Sequence, residues 1–127
     1  MLEPKKLALL RIAQILHKYS DEAHPLKQED IAAYLSRDYD IEIERKAVGR
    51  NLSLLKEAGY EIIATRNGCY LEKREFEDAE LKLLIDGVLC SKHIATHHSK
   101  QLIEKLAALS NAYFRSHIKN IYTVNDW

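Results

Sequence analysis

At 127 residues, with 46% hydrophobic and 30% charged residues, the chain has the size of one domain, or of a small domain plus an appendage. That composition excludes a disordered tail, because enough apolar material is present to offset the entropy of folding. Nineteen Lys and Arg balance nineteen Asp and Glu, and a net charge of zero says little about nucleic-acid binding when the charges are segregated.

No stretch approaches the roughly 20 apolar residues that span a bilayer, and the N-terminus lacks the apolar run of a secretory signal. Cys69 and Cys90 stand in unrelated contexts and read as reduced thiols. A soluble, cytoplasmic protein is expected.

The first helix is predicted over residues 4–19, proline being tolerated in the first turn, with Leu9, Ile12, Leu16 and Tyr19 on one face. A polar, proline-closed loop follows over 20–25. The second helix starts near Lys27, with Glu29 and Asp30 at the positive end of its dipole and Ile31, Ala32 and Leu35 facing inward. Residues 37–40 read as the turn out of it, and Ile41 and Ile43 as a brief extended segment.

The third helix is predicted over 44–58, stopped by Gly59. Val48, Leu52 and Leu55 form its apolar back. Arg45, Lys46, Gly49, Arg50, Ser53 and Lys56 fall elsewhere, giving a basic front rich in small residues. Two β-prone segments, 60–65 and 69–73, joined through Asn67-Gly68, signal a hairpin directly after the basic helix.

Beyond it a fourth helix carries Leu81, Leu84, Ile85, Val88 and Leu89 as a stripe. Thr96 is placed to cap a fifth, with Leu102, Ile103, Leu106 and Leu109 buried. These two amphipathic helices are expected to pack as a helical hairpin. The tail, 116–127, carries Ile118, Ile121, Tyr122 and Val124 and reads as the start of an element that continues elsewhere.

Helix, helix, short turn, basic helix and hairpin is the order of a winged helix-turn-helix. An α-helix fits the major groove, where base edges are distinguishable, and the second helix of the pair reads them near its own N-terminus. The fold expected is therefore mainly α with a small β-hairpin: a winged helix-turn-helix over 1–75, a linker helical hairpin over 76–115, and a truncated C-terminal region over 116–127. Double-stranded DNA is the expected partner, bound by a homodimer on two half-sites. Candidate contacts are Arg45, Lys46, Arg50, Asn51 and Ser53 on the basic helix, with Arg66 and Asn67 at the hairpin tip on a phosphate or in the minor groove. A protein-interaction module built on the same fold is the alternative, since fold does not fix function.

Three stretches carry a resemblance. Asp30-Ile31-Ala32-Ala33-Tyr34-Leu35, Ile43 through Leu52, and Leu55-Lys56-Glu57-Ala58-Gly59-Tyr60 resemble the N-terminal region of WYL-domain transcriptional regulators, a group overlapping the DeoR-like winged-helix regulators. Gly68-Cys69-Tyr70-Leu71, with Arg74-Glu75-Phe76 beyond it, is similar to the family's junction between wing and linker. The resemblance covers residues 7 to about 113 and is most specific over 45–59. It implies a DNA-binding N-terminal domain, a helical linker, and a C-terminal WYL domain that senses an effector and is absent from this chain. Arg45, Lys46 and Arg50 carry over as DNA contacts. Where relatives often have Thr, Tyr and Asp in the recognition helix, this chain has Ala47, Gly49 and Asn51, which leaves its target sequence open.

No catalytic chemistry is expected, because no glycine-rich phosphate loop, His-Glu-x-x-His pattern or nucleophile elbow is present. Cys90, His93 and His97 have spacings of three and four, but a helix start at Thr96 breaks their alignment, and structural zinc sites normally need four ligands. No metal and no cofactor are expected.

Overall fold

Three amphipathic helices build the first core of this computed structural model, which describes residues 5–72 and 74–121. Expectations for residues 1–4, 73 and 122–127, including a helix start at Pro4 and the tail residues Tyr122 and Val124, lie outside the described residues. The chain divides into two compact units, Met1–Lys73 and Arg74–Trp127.

In the first unit a 3-10 turn, Lys5–Leu7, leads into α1, Ala8–Tyr19. Ala8, Ile12, Ile15 and Leu16 are buried, so the face lies slightly round from the one expected, with Leu9 and Tyr19 only half-buried. Helix α2, Gln28–Tyr39, buries Ile31 and Leu35; α3, Arg45–Glu57, buries Val48, Leu52 and Leu55. The three helices pack mutually, and Leu26, Ile41, Ile62, Cys69 and Leu71 complete the core.

Helix α2 does not turn out at Arg37 as expected but runs on to Tyr39. Its last turn is held by a tertiary contact, the Arg11 guanidinium of α1 4.4 Å from the Tyr39 ring centroid, and within the helix by the Arg37 guanidinium 4.7 Å from that of Tyr34. Tyr34 in turn stacks on Tyr19 of α1, with centroids 4.2 Å apart and planes 5° from parallel. Asp40, at φ 54, then ends the helix in the left-handed conformation; its N–H donates to Ser36 O and that of Ile41 to Leu35 O.

Arg37 also donates to Asp38 Oδ1 at 2.7 Å and to the Tyr19 hydroxyl at 3.0 Å, while that hydroxyl donates to Asp38 Oδ2 at 3.1 Å. The Arg37 hydrogen bond, helped by Tyr19, holds the Asp38 carboxyl below the usual carboxylate range. A lowered folded-state pKa stabilises the fold above the ordinary carboxylate pKa, about 4, and the contribution disappears as pH falls through the lowered value. Thermal melts of Asp38→Asn and the wild type are expected to differ at neutral pH and to draw together as pH falls below the ordinary carboxylate range.

Strands β1, Ile62–Thr65, and β2, Gly68–Leu71, pair antiparallel with Ile62 opposite Leu71 and Thr65 opposite Gly68. The hairpin expected from Asn67-Gly68 is present, but its two loop residues are Arg66 and Asn67, and Gly68 opens β2. Neither loop residue has positive φ; that conformation falls to Gly68 at +131. A third segment explains why. Leu26, which the sequence reading assigns to neither the loop nor the second helix, bridges Cys69, its N–H donating to Cys69 O and the Cys69 N–H to Leu26 O, each at 2.8 Å. A Cβ on Gly68 would lie 2.5 Å from the Leu26 carbonyl, so only glycine fits beneath that crossing.

Ser20 ties α1 to the hairpin. Fully buried, its hydroxyl donates to Leu16 O at 2.5 Å and accepts the Leu71 N–H at 3.0 Å. Ser20→Ala leaves that buried N–H without its acceptor, at an expected cost of about 1–3 kcal/mol in a urea unfolding titration.

The second unit holds α4, Asp78–Cys90, α5, Thr96–Ala107, and α6, Ala112–Ile121. Its core is Leu81, Ile85, Ile103, Ala107, Phe114 and Ile118. The expected helical hairpin is thus a three-helix unit, and the boundary drawn at 115–116 falls inside α6. The N-cap is Asn111, whose Oδ1 accepts the Phe114 N–H at 2.9 Å. Thr96 is not a cap either: Ala95 holds that position and accepts the Ser99 N–H. Leu84 and Leu102, expected inside, are 42% and 38% exposed. Among the described residues no helix is long and apolar enough to cross a membrane.

Candidate nucleic-acid interface

The buried edge of α3 fixes what its other side presents. With Val48, Leu52 and Leu55 inward, a helix of 3.6 residues per turn carries Lys46, Arg50, Ser53 and Glu57 outward, and Arg45, Gly49 and Lys56 along one flank. Lys46 and Arg50 are exposed and make no hydrogen bond or ion pair with any described residue. Arg45 comes within 3.8 Å of Glu29, a contact between two exposed side chains that holds neither in place.

Two sequence-chosen residues are differently occupied. Asn51 is half-buried and donates through Nδ2 to Ala47 O at 2.9 Å, away from the outward face. Ser53 is exposed but donates to Gly49 O at 3.2 Å, leaving its oxygen as an acceptor.

Gly49 lies where the start of α2 crosses α3. A Cβ there would sit 2.9 Å from Gln28 Nε2, so the glycine makes room for a glutamine amide laid across the helix. Lys27 stands beside it at the N-cap of α2, its backbone N–H donating to Asp30 Oδ2 at 2.9 Å.

Lys27, Gln28, Gly49, Ser53, Lys56 and Thr65 lie around a cleft of about 270 Å³ between α3 and the hairpin, with Leu52 and Cys69 among its apolar lining. Burial pushes the Cys69 thiol above its ordinary range, while the nearby Lys56 ammonium pulls it down. Lys56 therefore brings positive charge to the cleft. The sequence reading left Lys27, Gln28 and Lys56 out of the site. Lys56 was findable, seven residues beyond Gly49 on the same flank of the helix. Lys27 and Gln28 had no local signal, because the crossing of α2 over α3 places them.

At the hairpin tip Thr65 braces the turn, its hydroxyl donating to Gly68 O at 2.8 Å and accepting the Asn67 N–H at 3.1 Å. The Arg66 and Asn67 side chains are exposed, with no partner among the described residues. The first unit thus presents a braced cationic tip and a cationic helix face on either side of one cleft.

Among the described residues no three His, Cys, Asp or Glu side chains form a group able to hold a metal ion. Neither a protein family, nor a curated protein, nor a solved structure matches the chain.

Proposed function

We propose that the chain is the sequence-specific, double-stranded-DNA-binding part of a cytoplasmic transcription regulator, a binding protein and not an enzyme. In this reading the first unit is a winged helix-turn-helix. Helix α3 enters the major groove with Arg45, Lys46, Arg50 and Ser53, and the hairpin is the wing, its Arg66 and Asn67 on a phosphate or in the adjacent minor groove. The protein acts as a homodimer on two half-sites. Its effector binds a C-terminal WYL-type domain, as the resemblance to WYL-domain regulators implies.

One observation carries this reading: exposed, unengaged cations on the outward face of a helix, separated from a braced cationic hairpin by a single cleft. Cations without ion-pair partners are what a polyanion needs, since each replaces condensed counterions on a phosphate.

The test is selection of this chain on random duplex DNA, followed by affinity for the enriched sequence at several salt concentrations. A motif whose affinity falls steeply with salt supports the reading. Absence of enrichment, with weak binding only at low salt, counts against it.

A second reading has its own observation. Leu54 is 50% exposed and Glu57 is exposed, both on the side of α3 that carries Arg50. An apolar and an acidic side chain suit a protein partner better than a groove. Such an interface would bury apolar surface and barely respond to salt, so the same titration separates the two.

A further inference from the structure

We propose that the outer face of α4 is the seam of an antiparallel homodimer. The proposal names the surface behind the dimer in the preceding section, rests on that dimer, and does not require DNA.

Helix α4 is apolar on two sides. Leu81 and Ile85 fill the core of the second unit, fully buried. About half a turn away lie Ala79, Leu83, Gly87 and Cys90, all exposed, Leu83 at 73%. Helices apolar all round are normally covered on both sides, whereas a solvated helix carries polar residues opposite its core. The acid and base that α4 does carry here, Lys82 and Asp86, pair with each other at 3.2 Å along one flank of this strip. On the other flank exposed Glu80, whose carboxylate accepts the Glu77 N–H at 2.9 Å, stands between Gly87 and Leu84, which is 42% exposed.

A second copy is the occupant that fits, because the face is complementary to itself. Ala79, Leu83 and Gly87 follow one another at spacings of four, the ridge along which helices interdigitate. Leu83 is a knob on that ridge and Gly87 a gap, with nothing within 4 Å of where its Cβ would stand. A two-fold axis perpendicular to α4, midway between residues 84 and 85, sets Leu83 of each copy within about 1.5 Å of level with the other's Gly87. The same operation sets Lys82 as close to level with the other copy's Asp86. It keeps both charged flanks on one side of the seam, so the two intrachain pairs become a four-charge ladder across it. Knob meets gap and cation meets anion under one symmetry operation, which a random apolar strip does not provide.

Sedimentation velocity of the whole chain, from low to high micromolar concentration and without DNA, tests this. The wild type is expected to be dimeric at high concentration. Leu83→Glu is expected to raise the dimer dissociation constant at least tenfold by placing like charges at the centre of the seam. Gly87→Lys fills the gap and should do the same. Because glycine is a poor helix former, that variant should be at least as helical as the wild type by circular dichroism, so its dissociation is not misfolding. Leu10→Glu, on an exposed leucine of α1, should leave the dimer intact. A monomeric wild type overturns both the dimer and its surface. A dimer indifferent to both α4 substitutions leaves the dimer standing and overturns the surface.

Discussion

Gly68→Ala is expected to destabilise the first unit by about 3 kcal/mol or more, the largest loss of any single-methyl change in the hairpin. Two costs add. An L-residue forced to positive φ loses roughly 1–2 kcal/mol. The methyl would also stand 2.5 Å from the Leu26 backbone, a distance that a rotamer change cannot relieve because the obstruction is main chain. The Leu26 segment has to move, straining or breaking the two 2.8 Å hydrogen bonds that join it to Cys69, at roughly 1 kcal/mol each.

Two other glycines separate these costs. Gly59 also has positive φ, +107, but nothing lies within 4 Å of its Cβ position, so Gly59→Ala should lose only about 1–2 kcal/mol of backbone strain. Gly49→Ala meets the movable end of Gln28 and gains about 1 kcal/mol of helix propensity, for a net change near zero. For a unit of this size the ranking appears as a drop in melting temperature of at least ~10 °C for Gly68→Ala, against a few degrees for Gly59→Ala. Equal losses at Gly59 and Gly68 would show that the Leu26 crossing carries no weight.

What the sequence made legible is what repeats locally. Ile12 and Leu16, Ile31 and Leu35, and Val48, Leu52 and Leu55 announce their helices at spacings of three and four, and all seven are buried. Asn67-Gly68 announces a reversal. What stayed hidden depends on pairings far apart in the chain. One residue, Leu26, bridging Cys69 across 43 positions leaves no periodicity, yet it decides which residues occupy the hairpin tip. Ser20, a loop serine by composition, joins Leu16 to Leu71 across 51 positions. The stack of Tyr19 on Tyr34 under Arg37 likewise follows from the packing of α1 on α2, and it carried α2 past its expected end.

Helix α6 is a different case. Asn111, Phe114 and Ile118 were a readable cap and core pair, obscured by a boundary placed inside their period. The candidate site divides in the same way. Lys46 and Arg50 follow from the α3 periodicity alone, whereas Lys27 and Gln28 join it only through the crossing of α2. Asn51, chosen by its position, is turned onto its own helix.

Replacing Arg45, Lys46 and Arg50 together by Gln is expected to lower affinity for the selected duplex by about 10²- to 10⁴-fold, with the fold unchanged. A base contact from an arginine is worth roughly 1–3 kcal/mol and a phosphate contact about 1, and each 1.4 kcal/mol is tenfold. The structural cost is small because all three side chains are exposed and the only ion pair they make with described residues, Arg45 with Glu29, is 3.8 Å long in solvent. Glutamine removes the charge and keeps the helix propensity, so an unchanged melting temperature serves as the control.

Salt dependence then assigns roles. The slope of log affinity against log salt changes by about 0.9 for every phosphate contact removed. A triple variant that flattens the slope by nearly three units would mean that all three cations track the backbone. In that case sequence discrimination must come from Ser53, the hairpin tip or the deformability of the duplex. A slope flattened by one or two units, with selectivity lost at one base pair, would place Arg50 on a base, because it projects furthest from the buried edge of α3. An unchanged affinity in the folded variant would remove α3 from the interface and leave its exposed Leu54 and Glu57 as the better guide to the partner.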